Sequence, residues 1–383
     1  MNTFDIVVIG GGMVGAAAAL GFAQQGRQVL LVEGHAPMAF TPEQPMDVRV
    51  SAISQTSVAL LEQLGAWPAI EAMRVCPYRR LETWEAPECR TRFHSDSLGL
   101  EQLGYFVENR LLQLGIWQGF EQVDNLTLMC PDTLESIEFG ELNQVTLSSG
   151  YQCQALWVIG ADGANSKVRD LANIGVTAWD YRQHCMLISV QTQLPQQDIT
   201  WQQFTPKGPR SFLPLCGHQG SLVWYDSPGR IKQLSAMSGE QLRQEILAEF
   251  PSELGDIKVQ KFGSFPLTRR HAQAYFQHQC VLVGDSAHTI NPLAGQGVNL
   301  GFKDVMKLLE VTEKHQLSER ALRAYQACRR VDNLVMQTGM DVFYKGFSNS
   351  LPPLKFARNA LLKIAEHSGP IKEQVLRYAL GLA

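Results

Sequence analysis

The sequence predicts an α/β fold built on a parallel sheet, because three short hydrophobic runs, far apart in the chain, are each followed by glycine and a helical segment. The runs are residues 6–9, 156–159 and 281–283. Continuous apolar runs of this length are typical of parallel strands covered on both faces. With 383 residues, of which 45% are hydrophobic and 18% charged, the chain is long enough for two or three units with a large core.

A glycine motif follows the first run. Gly10, Gly12 and Gly15 form the pattern G-x-G-x-x-G ahead of an alanine-rich helix. In this pattern the first glycine permits a tight turn, the second lets backbone N–H groups approach a pyrophosphate, and the third lets helix and strand pack closely. A second strand, expected over 28–32, ends at Glu33, near the spacing at which a carboxylate accepts hydrogen bonds from ribose hydroxyls. The motif predicts a dinucleotide site without choosing between NAD and FAD.

Two further glycine motifs follow the other runs. Residues 160–166 read G-A-D-G-A-N-S, and residues 284–288 read G-D-S-A-H. A loop over 292–299, P-L-A-G-Q-G-V-N, then opens a helix. Because the carboxyl ends of parallel strands share one rim of a sheet, these loops are expected to lie beside the first glycine motif.

The order and spacing of these motifs resemble the FAD-dependent single-component aromatic hydroxylases of the para-hydroxybenzoate hydroxylase type, over nearly the whole chain. The resemblance implies an α/β architecture with a Rossmann-like FAD-binding domain, an inserted mixed-sheet substrate domain and a C-terminal helical segment. The boundaries expected on this basis are 1–75, 107–179 and 269–335 for a discontinuous FAD-binding domain, 76–106 and 180–268 for the substrate domain, and 336–383 for the C-terminal segment.

Within that group the chain is most similar to the ubiquinone-biosynthesis hydroxylases. The segments that carry this likeness are 47–54, 107–110 and 291–297, and those that resemble the branch acting late in the pathway are 78–84, 222–226 and 265–271. The resemblance implies hydroxylation of the ring of a polyprenylated benzoquinol. A sister hydroxylase acting on an earlier prenylphenol, a flavin reductase without oxygen insertion, and a scaffold flavoprotein remain the alternatives.

The same resemblance implies roles for single residues. Asp285 is expected to hydrogen-bond the ribityl chain of FAD, with a helix N-cap as the alternative. Asp162 is expected near FAD and the nicotinamide nucleotide, or else as a strand-end cap. Arg49 is expected near the FAD phosphates or adenosine, or else in a solvated salt bridge, and Asn109 or Arg110 begins the helix that faces the flavin. The expected flavin-proximal loop carries Pro292, Gly295, Gln296, Gly297 and Asn299, and no catalytic side chain is predicted.

The remaining polar features are interpreted as structural. His288 is expected to make a structural hydrogen bond rather than act as a general base. The arginine pairs at 79–80, 269–270 and 329–330 are expected on solvated faces, with binding of nicotinamide phosphates by some of them as the alternative. The eight cysteines are scattered without a C-x-x-C pair, which argues against a disulfide framework and against a zinc site.

By resemblance, O2 is the expected co-substrate and NAD(P)H the expected electron donor. Reduced FAD would form a C4a-hydroperoxide whose distal oxygen attacks an electron-rich ring. The sequence has no second G-x-G-x-x-G, as expected if the nicotinamide nucleotide visits only to deliver hydride. It also has no metal-ligand cluster and no G-x-S-x-G, so the oxygen chemistry is expected to come from the flavin.

The net charge and the hydropathy of the chain limit the classes of partner and the cellular locations that are expected. Lys plus Arg number 33 against 37 for Asp plus Glu, a net charge of −4, which argues against nucleic acid. The sequence shows no signal-peptide pattern and no run of 18 apolar residues, so the expected location is cytoplasmic, with peripheral contact at the inner membrane face as a further expectation. A polyprenyl benzoquinol substrate also suggests a ubiquinone-biosynthesis complex as a partner.

An amphipathic helix is expected over 354–366. Its apolar side carries Leu354, Phe356, Ala357, Ala360, Leu361, Ile364 and Ala365, and its polar side carries Lys355, Arg358, Asn359, Lys363 and Glu366. Such a helix either docks on its own domain or contacts a membrane surface or partner. In the second case, Lys355, Arg358 and Lys363 are expected to contribute to binding.

Overall fold

Three β-sheets and their flanking helices make up the computed structural model, which describes residues 2–290, 297–349 and 351–379. The strands in chain order are β1 (Asn2–Ile9), β2 (Val29–Val32), β3 (Val50–Ser54), β4 (Cys76–Tyr78), β5 (Arg80–Trp84), β6 (Thr91–His94), β7 (Gly104–Glu108), β8 (Leu126–Met129), β9 (Leu134–Glu138), β10 (Asn143–Leu147), β11 (Gln152–Gly160), β12 (Val176–Thr192), β13 (Ile199–Gln203), β14 (Arg210–Pro214), β15 (Gln219–Asp226), β16 (Ile257–Ala272), β17 (Phe276–Gln277), β18 (Cys280–Leu282) and β19 (His288–Thr289). The helices are α1 (Met13–Gln24), α2 (Gln55–Gln63), α3 (Trp67–Met73), α4 (Asn109–Gln118), α5 (Lys167–Leu171), α6 (Pro228–Ser235), α7 (Gly239–Glu249), α8 (Gly297–His315), α9 (Glu319–Phe347), α10 (Pro352–Glu366) and α11 (Pro370–Ala379).

The first sheet has the order β17-β18-β11-β1-β2-β8, and its strands from β18 to β8 run parallel. In register, Ile6 of β1 lies between Val29 on one side and Trp157 on the other. These strands are buried and apolar because helices pack against them, α1 against β1 and β2 and α5 against β11 and β18. The predicted parallel strands are therefore confirmed, and their carboxyl ends form one rim.

The second sheet has the order β19-β16-β12-β15-β14-β13-β5-β6. It is mixed, since β13 and β5 run parallel while the other neighbouring pairs are antiparallel. One face is buried against α6 and α7 around three tryptophans, Trp84, Trp201 and Trp224. The α/β class and the mixed second sheet are confirmed.

Two long strands connect the two large sheets. β12 has 17 residues and β16 has 16, and they pair with each other along most of their length. The boundaries expected near residues 179 and 268 fall inside these strands, so the backbone crosses from one unit to the other without a linker. A small third sheet, β3-β7-β4, lies beside them.

The C-terminal helices differ from the expectation in orientation. α10 does dock on its own domain, but through polar side chains, and its apolar residues point outward. Arg358, expected on the exposed polar side, is 8% exposed and pairs with Glu85, which follows β5. Among the described helices, none is long and apolar enough to cross a membrane.

Candidate active site

The turn between β1 and α1 has the geometry that its glycines predict. Gly10 has a φ of +100°, a conformation that other residues rarely adopt. A Cβ atom built on Gly15 would lie 1.9 Å from the carbonyl oxygen of Gly10, so helix and strand meet too closely for any side chain. A Cβ atom built on Gly12 meets no atom within 4 Å. The α1 N-terminus therefore opens onto free space, where its unpaired N–H groups can receive an anion.

Glu33 closes one side of this turn. Its Oε2 accepts a hydrogen bond of 2.6 Å from the backbone N–H of Gly11, and its Oε1 accepts one of 3.0 Å from His35. From α4, Gln113 and Trp117 each donate a 2.9 Å hydrogen bond to the Gly11 carbonyl. The sequence does not predict these two contacts. Gln113 and Trp117 are about a hundred positions from the glycine loop that they hold, and no local motif marks them.

The second rim loop is organised by Asp162. Its carboxylate accepts hydrogen bonds from the backbone N–H groups of Lys167 (2.7 Å) and Val168 (3.1 Å) and from the Ser166 hydroxyl. These contacts fix the start of the short helix α5, whose N-cap residue is Ser166, to the loop that follows β11. The loop touches the first turn, because a Cβ atom on Gly10 would lie 3.0 Å from the Asp162 Cα.

Asp285 lies at the third rim loop, in the single turn that follows β18. Its side chain is exposed to solvent and makes no hydrogen bond with a described residue. The residue that caps this turn is Val283, so the N-cap alternative for Asp285 is wrong. Although the carboxyl is open to solvent, the protein atoms around it reduce its hydration and raise its pKa, and positive charge at His288, Arg49 and Arg270 opposes the rise. A carboxylate that is surrounded by protein but still reachable from solvent can accept hydrogen bonds from a ligand bound in the cleft.

A buried ion-pair network holds that loop from below. Oδ2 of Asp304, on α8, accepts a hydrogen bond of 3.0 Å from the Gly284 N–H and another from Nε2 of His288. Oδ1 accepts from Arg329 (2.8 Å) and Asn333 (3.1 Å), both on α9. Burial disfavours the charged carboxyl, but His288 and Arg329 prevail and lower the pKa of Asp304 to about 2. The structural role predicted for His288 is confirmed.

Two of the paired arginines differ from the expectation that these residues lie on solvated faces. Arg269 and Arg329 are only 6% and 4% exposed, so neither lies on a solvated face. Arg269 pairs with Asp341, and Arg329 pairs with Asp304. Asp341 and Asp304 each lie on a different element from the arginine they pair with, so the sequence alone gives no sign of these two buried ion pairs.

Two arginines tie the second rim loop to its surroundings. Arg169 donates 3.1 Å hydrogen bonds to the carbonyls of Ala164 and Ser286, which join the second loop to the third. Arg270 donates to the Ala164 carbonyl and, at 2.6 Å, to the Asn165 side chain. The three rim loops therefore form one connected platform.

The segment before β3 brings Arg49 to the same cleft. Its guanidinium lies 5.9 Å from the centre of the Phe265 ring, and it forms no salt bridge with a described residue, so the alternative role is not supported. Arg110 differs, because it pairs with Asp47 at 2.8 Å. Asn109 accepts a 2.7 Å hydrogen bond from Ser51. Arg49 faces the cleft, whereas Asn109 and Arg110 fasten the segment that carries it.

Asn299 fastens α8 to the β3–α2 junction. Its Oδ1 accepts from the Ser54 N–H (3.0 Å) and the Ser57 hydroxyl (2.7 Å), and its Nδ2 donates to the Ala52 carbonyl (2.7 Å). Gly297 is the first residue of α8. The other residues of the expected flavin-proximal loop lie outside the described residues; these are Pro292, Gly295 and Gln296.

One face of the second sheet completes the cleft. Leu187, Val223 and Phe265 pack into the apolar cluster on the face opposite the tryptophans. On the same face Ser189 and Ser221 are register partners in β12 and β15, and the hydroxyl of each is buried without a hydrogen-bond partner. A buried polar atom without a partner is uncommon in proteins and calls for an explanation.

Known proteins share both the sequence and the fold. A family model described as an FAD binding domain matches residues 3–337. The 3-demethoxyubiquinol 3-hydroxylase of Escherichia coli (strain K12) is 52% identical over 99% of this chain and 98% of its own length. The ubiquinone hydroxylase UbiL of Rhodospirillum rubrum is 32% identical over 98% of this chain and 89% of its own. The chain belongs to the FAD-dependent ubiquinone-biosynthesis hydroxylases.

A solved structure supports the fold of this family member. The p-nitrophenol 4-monooxygenase PnpA from Pseudomonas putida DLL-E4 superposes with a TM-score of 0.81 over 99% of both chains, at 18% identity. As an FAD-dependent aromatic-ring monooxygenase, the hydroxylase needs a site for the whole dinucleotide, and the described residues fit one. The space above Gly12, the helix N-terminus behind it and the open carboxylate of Asp285 lie along one rim. No cluster of metal-ligating side chains occurs among those same residues.

Proposed function

We propose that this protein hydroxylates the ring of a polyprenylated benzoquinol in ubiquinone biosynthesis, at the step catalysed by 3-demethoxyubiquinol 3-hydroxylase. The observation that carries the proposal is the 52% identity over 99% of the chain with an enzyme of that name. FAD is the cofactor, O2 the co-substrate and NAD(P)H the electron donor in this proposal. Activation of O2 and oxygen insertion are the chemistry that FAD supplies when bound.

The adenosine half of FAD belongs at the β1–α1 turn. The pyrophosphate fits above Gly12, because backbone N–H groups and the positive end of α1 point there. Glu33 is one strand away and accepts hydrogen bonds at both carboxylate oxygens, so it is suited to ribose hydroxyls.

The flavin half belongs at the third rim loop. Asp285 is proposed to accept a hydrogen bond from the ribityl chain, since its carboxylate is open and unpaired among the described residues. Arg49 lies opposite and is proposed to contact a phosphate or the flavin edge. The isoalloxazine is proposed to lie along the segment that leads into Gly297, whose helix N-terminus stabilises negative charge.

The benzoquinol ring belongs between that segment and the second sheet. Leu187, Val223 and Phe265 offer an apolar wall that excludes water from the reacting atoms. The unpartnered hydroxyls of Ser189 and Ser221 lie on the same sheet face, where ring oxygens of a substituted quinol are suitable partners.

NAD(P)H is proposed to reach the flavin from the rim of the first sheet, and the substrate is proposed to arrive from the membrane. In this proposal the nicotinamide ring approaches between the two described loops that carry Asp162 and Asp285. The polyprenyl tail places the reaction in the cytoplasm beside the inner face of the membrane, or within a ubiquinone-biosynthesis complex, because such a substrate does not leave lipid unaided.

Deletion of the gene in its host tests the proposal. Mass spectrometry of the quinone pool should show accumulated demethoxyubiquinone, and a plasmid copy should restore ubiquinone while a Gly12→Val copy should not. An earlier prenylphenol in the deletion strain would instead assign the protein to a sister step.

A second measurement separates hydroxylation from flavin reduction or scaffolding. With purified protein, NAD(P)H and a short-chain quinol, O2 consumed should match hydroxylated product formed. NAD(P)H oxidation without hydroxylated product would contradict oxygen insertion.

A further inference from the structure

The C-terminal helix α10 is bound to the protein by its polar side. Arg358 donates hydrogen bonds to both carboxylate oxygens of Glu85, and Asn359 donates a further one of 3.0 Å to Glu85. Glu366 accepts a 2.7 Å hydrogen bond from the Arg92 backbone N–H at the other end of the helix. The helix is therefore fixed at its middle, next to the end of β5, and at its C-terminal end, next to β6.

This attachment leaves the apolar side of the helix in solvent. We call it the outer face, defined by Leu354, Phe356, Leu361 and Ile364, which are 48%, 78%, 65% and 63% exposed. A helix of 15 residues is about 22 Å long, so the outer face is an extended stripe and not a single exposed side chain. Apolar stripes of this kind on a protein surface mark a binding surface for another apolar phase.

The orientation is fixed by burial of charge. Arg358 and Glu85 are 8% exposed each, and separating them would leave an unpaired charge inside the protein. Rotating the helix to bury the outer face would require that separation. The outward orientation of the apolar side chains is therefore a stable feature of the fold.

We propose that the outer face docks on an anionic lipid bilayer. Lys355 and Lys363 lie on the same helix, are exposed and form no salt bridge with a described residue. Exposed cations on the polar side of a helix whose other side is an apolar stripe are complementary to anionic headgroups above acyl chains, which is the composition of helices that lie in the membrane interface. A symmetric pairing of two copies through this face would instead bring the same lysines together, which disfavours a second copy as the occupant.

The surface deepens the proposed function and rests on it for one point only, the lipid tail of the substrate. A protein that meets a polyprenyl quinol gains from binding the bilayer in which that quinol is dissolved. Lipid binding is measured without substrate or turnover, so its failure is separate from failure of the proposed hydroxylation.

Sedimentation with vesicles tests the proposal on the full-length FAD-loaded protein. The wild type should sediment with vesicles of phosphatidylethanolamine and phosphatidylglycerol, less with phosphatidylcholine alone, and less as salt is raised. Leu361→Ser with Ile364→Ser should reduce vesicle affinity at least about tenfold, since two exposed aliphatic side chains no longer enter lipid. Lys355→Glu with Lys363→Glu should reduce it at least about fivefold per lysine.

Matched controls come from other exposed positions. Leu194→Ser with Leu247→Ser removes two leucines that are 39% and 38% exposed elsewhere, and Lys258→Glu with Lys261→Glu reverses two exposed charges on β16. These variants should bind vesicles as the wild type does. FAD content and activity on a short-chain, water-soluble quinol should be unchanged in the outer-face variants.

Three outcomes would overturn the proposal. The first is a wild type that is not retained by anionic vesicles at low salt. The second is a loss of affinity in the control variants as large as that in the outer-face variants. The third is conversion of a dimer to a monomer by the outer-face substitutions in analytical ultracentrifugation, with vesicle binding unchanged. The last outcome would assign the face to a second copy of the chain.

Discussion

The backbone N–H of Gly284 donates a 3.0 Å hydrogen bond to Oδ2 of Asp304, a fully buried residue of α8. The same oxygen also accepts from His288, and the opposite oxygen accepts from Arg329. The loop that presents Asp285 to the cleft is therefore attached to α8 and α9 by a single buried carboxylate. Asp304 is a positioning residue for this loop.

Asp304→Asn should weaken FAD binding without removing any group that touches FAD. The substitution removes the buried anion at a site that is 0% exposed and leaves Arg329 with only the partly exposed Asp332, and breaking such a buried pair costs about 3–5 kcal/mol of stability. We expect a lower unfolding temperature and a lower FAD content in the purified protein. Asp332→Asn, which removes the partly exposed partner of Arg329, is the matched control and should change both much less. Equal effects of the two would show that Asp304 has no special link to the loop.

Asp285→Ala should affect the cofactor and not the fold. Its carboxylate makes no hydrogen bond with a described residue, so its loss leaves the protein intact. Loss of one charge-assisted hydrogen bond to the ribityl chain should cost about 1.5–3 kcal/mol of FAD affinity. Fluorescence titration of the apoprotein with FAD measures this, and thermal unfolding without FAD should match the wild type. An unchanged Kd would remove Asp285 from the FAD site.

Substitutions at Gly12 and Gly15 should have different effects, one on FAD binding and the other on folding. A side chain at Gly12 meets no protein atom within 4 Å, so Gly12→Val should fold and yet lack FAD because the pyrophosphate cannot approach. A side chain at Gly15 would overlap the Gly10 carbonyl, so Gly15→Val should lose the folded state itself. Circular dichroism and flavin absorbance of the two proteins distinguish these results. Full flavin content in Gly12→Val would refute the role given to this glycine.

The local parts of this molecule follow from its sequence. The strands that become β1, β2, β11 and β18 are continuous apolar runs, and Gly10 and Gly15 stand where the chain turns sharply or packs closely. Each of these features depends on a few neighbouring residues, so a short segment is enough to predict it.

The non-local parts do not follow from the sequence. Arg329 and Asp304 are 25 positions apart, and Arg358 and Glu85 are 273 apart, so no window of the sequence contains both partners. The helical projection of 354–366 separates apolar from polar residues correctly, but it cannot tell which side the protein will bind. The buried glutamate after β5 decides that, and its partner becomes evident only in three dimensions.

We expect the free energy of unfolding to decrease as the pH is lowered, because His271 is buried. This side chain is 6% exposed and hydrogen-bonds Gln337 at 2.8 Å, and burial lowers the pKa of its imidazole from 6.5 to about 4. Above pH 6.5 the imidazole is neutral in the folded and unfolded states, so its contribution is complete. As pH falls from 6.5 towards 4 only the unfolded state takes up the proton, and stability declines by about 3 kcal/mol in all.

His271→Asn removes this titration and keeps a group that can hydrogen-bond Gln337. Urea unfolding at several pH values should show a shallower decline between pH 6.5 and 4 in this variant than in the wild type. His94→Gln, at an exposed position, is the control and should keep the wild-type slope. An identical slope in His271→Asn would mean that other groups cause the acid sensitivity.

Arg358 should behave unlike the two lysines of the same helix. All three were expected to contribute to surface binding, but Arg358 is buried against Glu85 and cannot reach a bilayer. Arg358→Ala leaves Glu85 unpaired, a loss of about 3–5 kcal/mol that should release α10 from β5 and expose the chain after residue 349 to protease. Activity should then fall on long-tailed and short-chain quinols alike, whereas Lys355→Glu with Lys363→Glu should reduce activity only on the long-tailed quinol in vesicles. Glu85→Gln with Arg358→Met, which removes both charges, should restore protease resistance, because neither partner is left unpaired. If Arg358→Ala left the helix as resistant as in the wild type, this ion pair would not be what fixes its orientation.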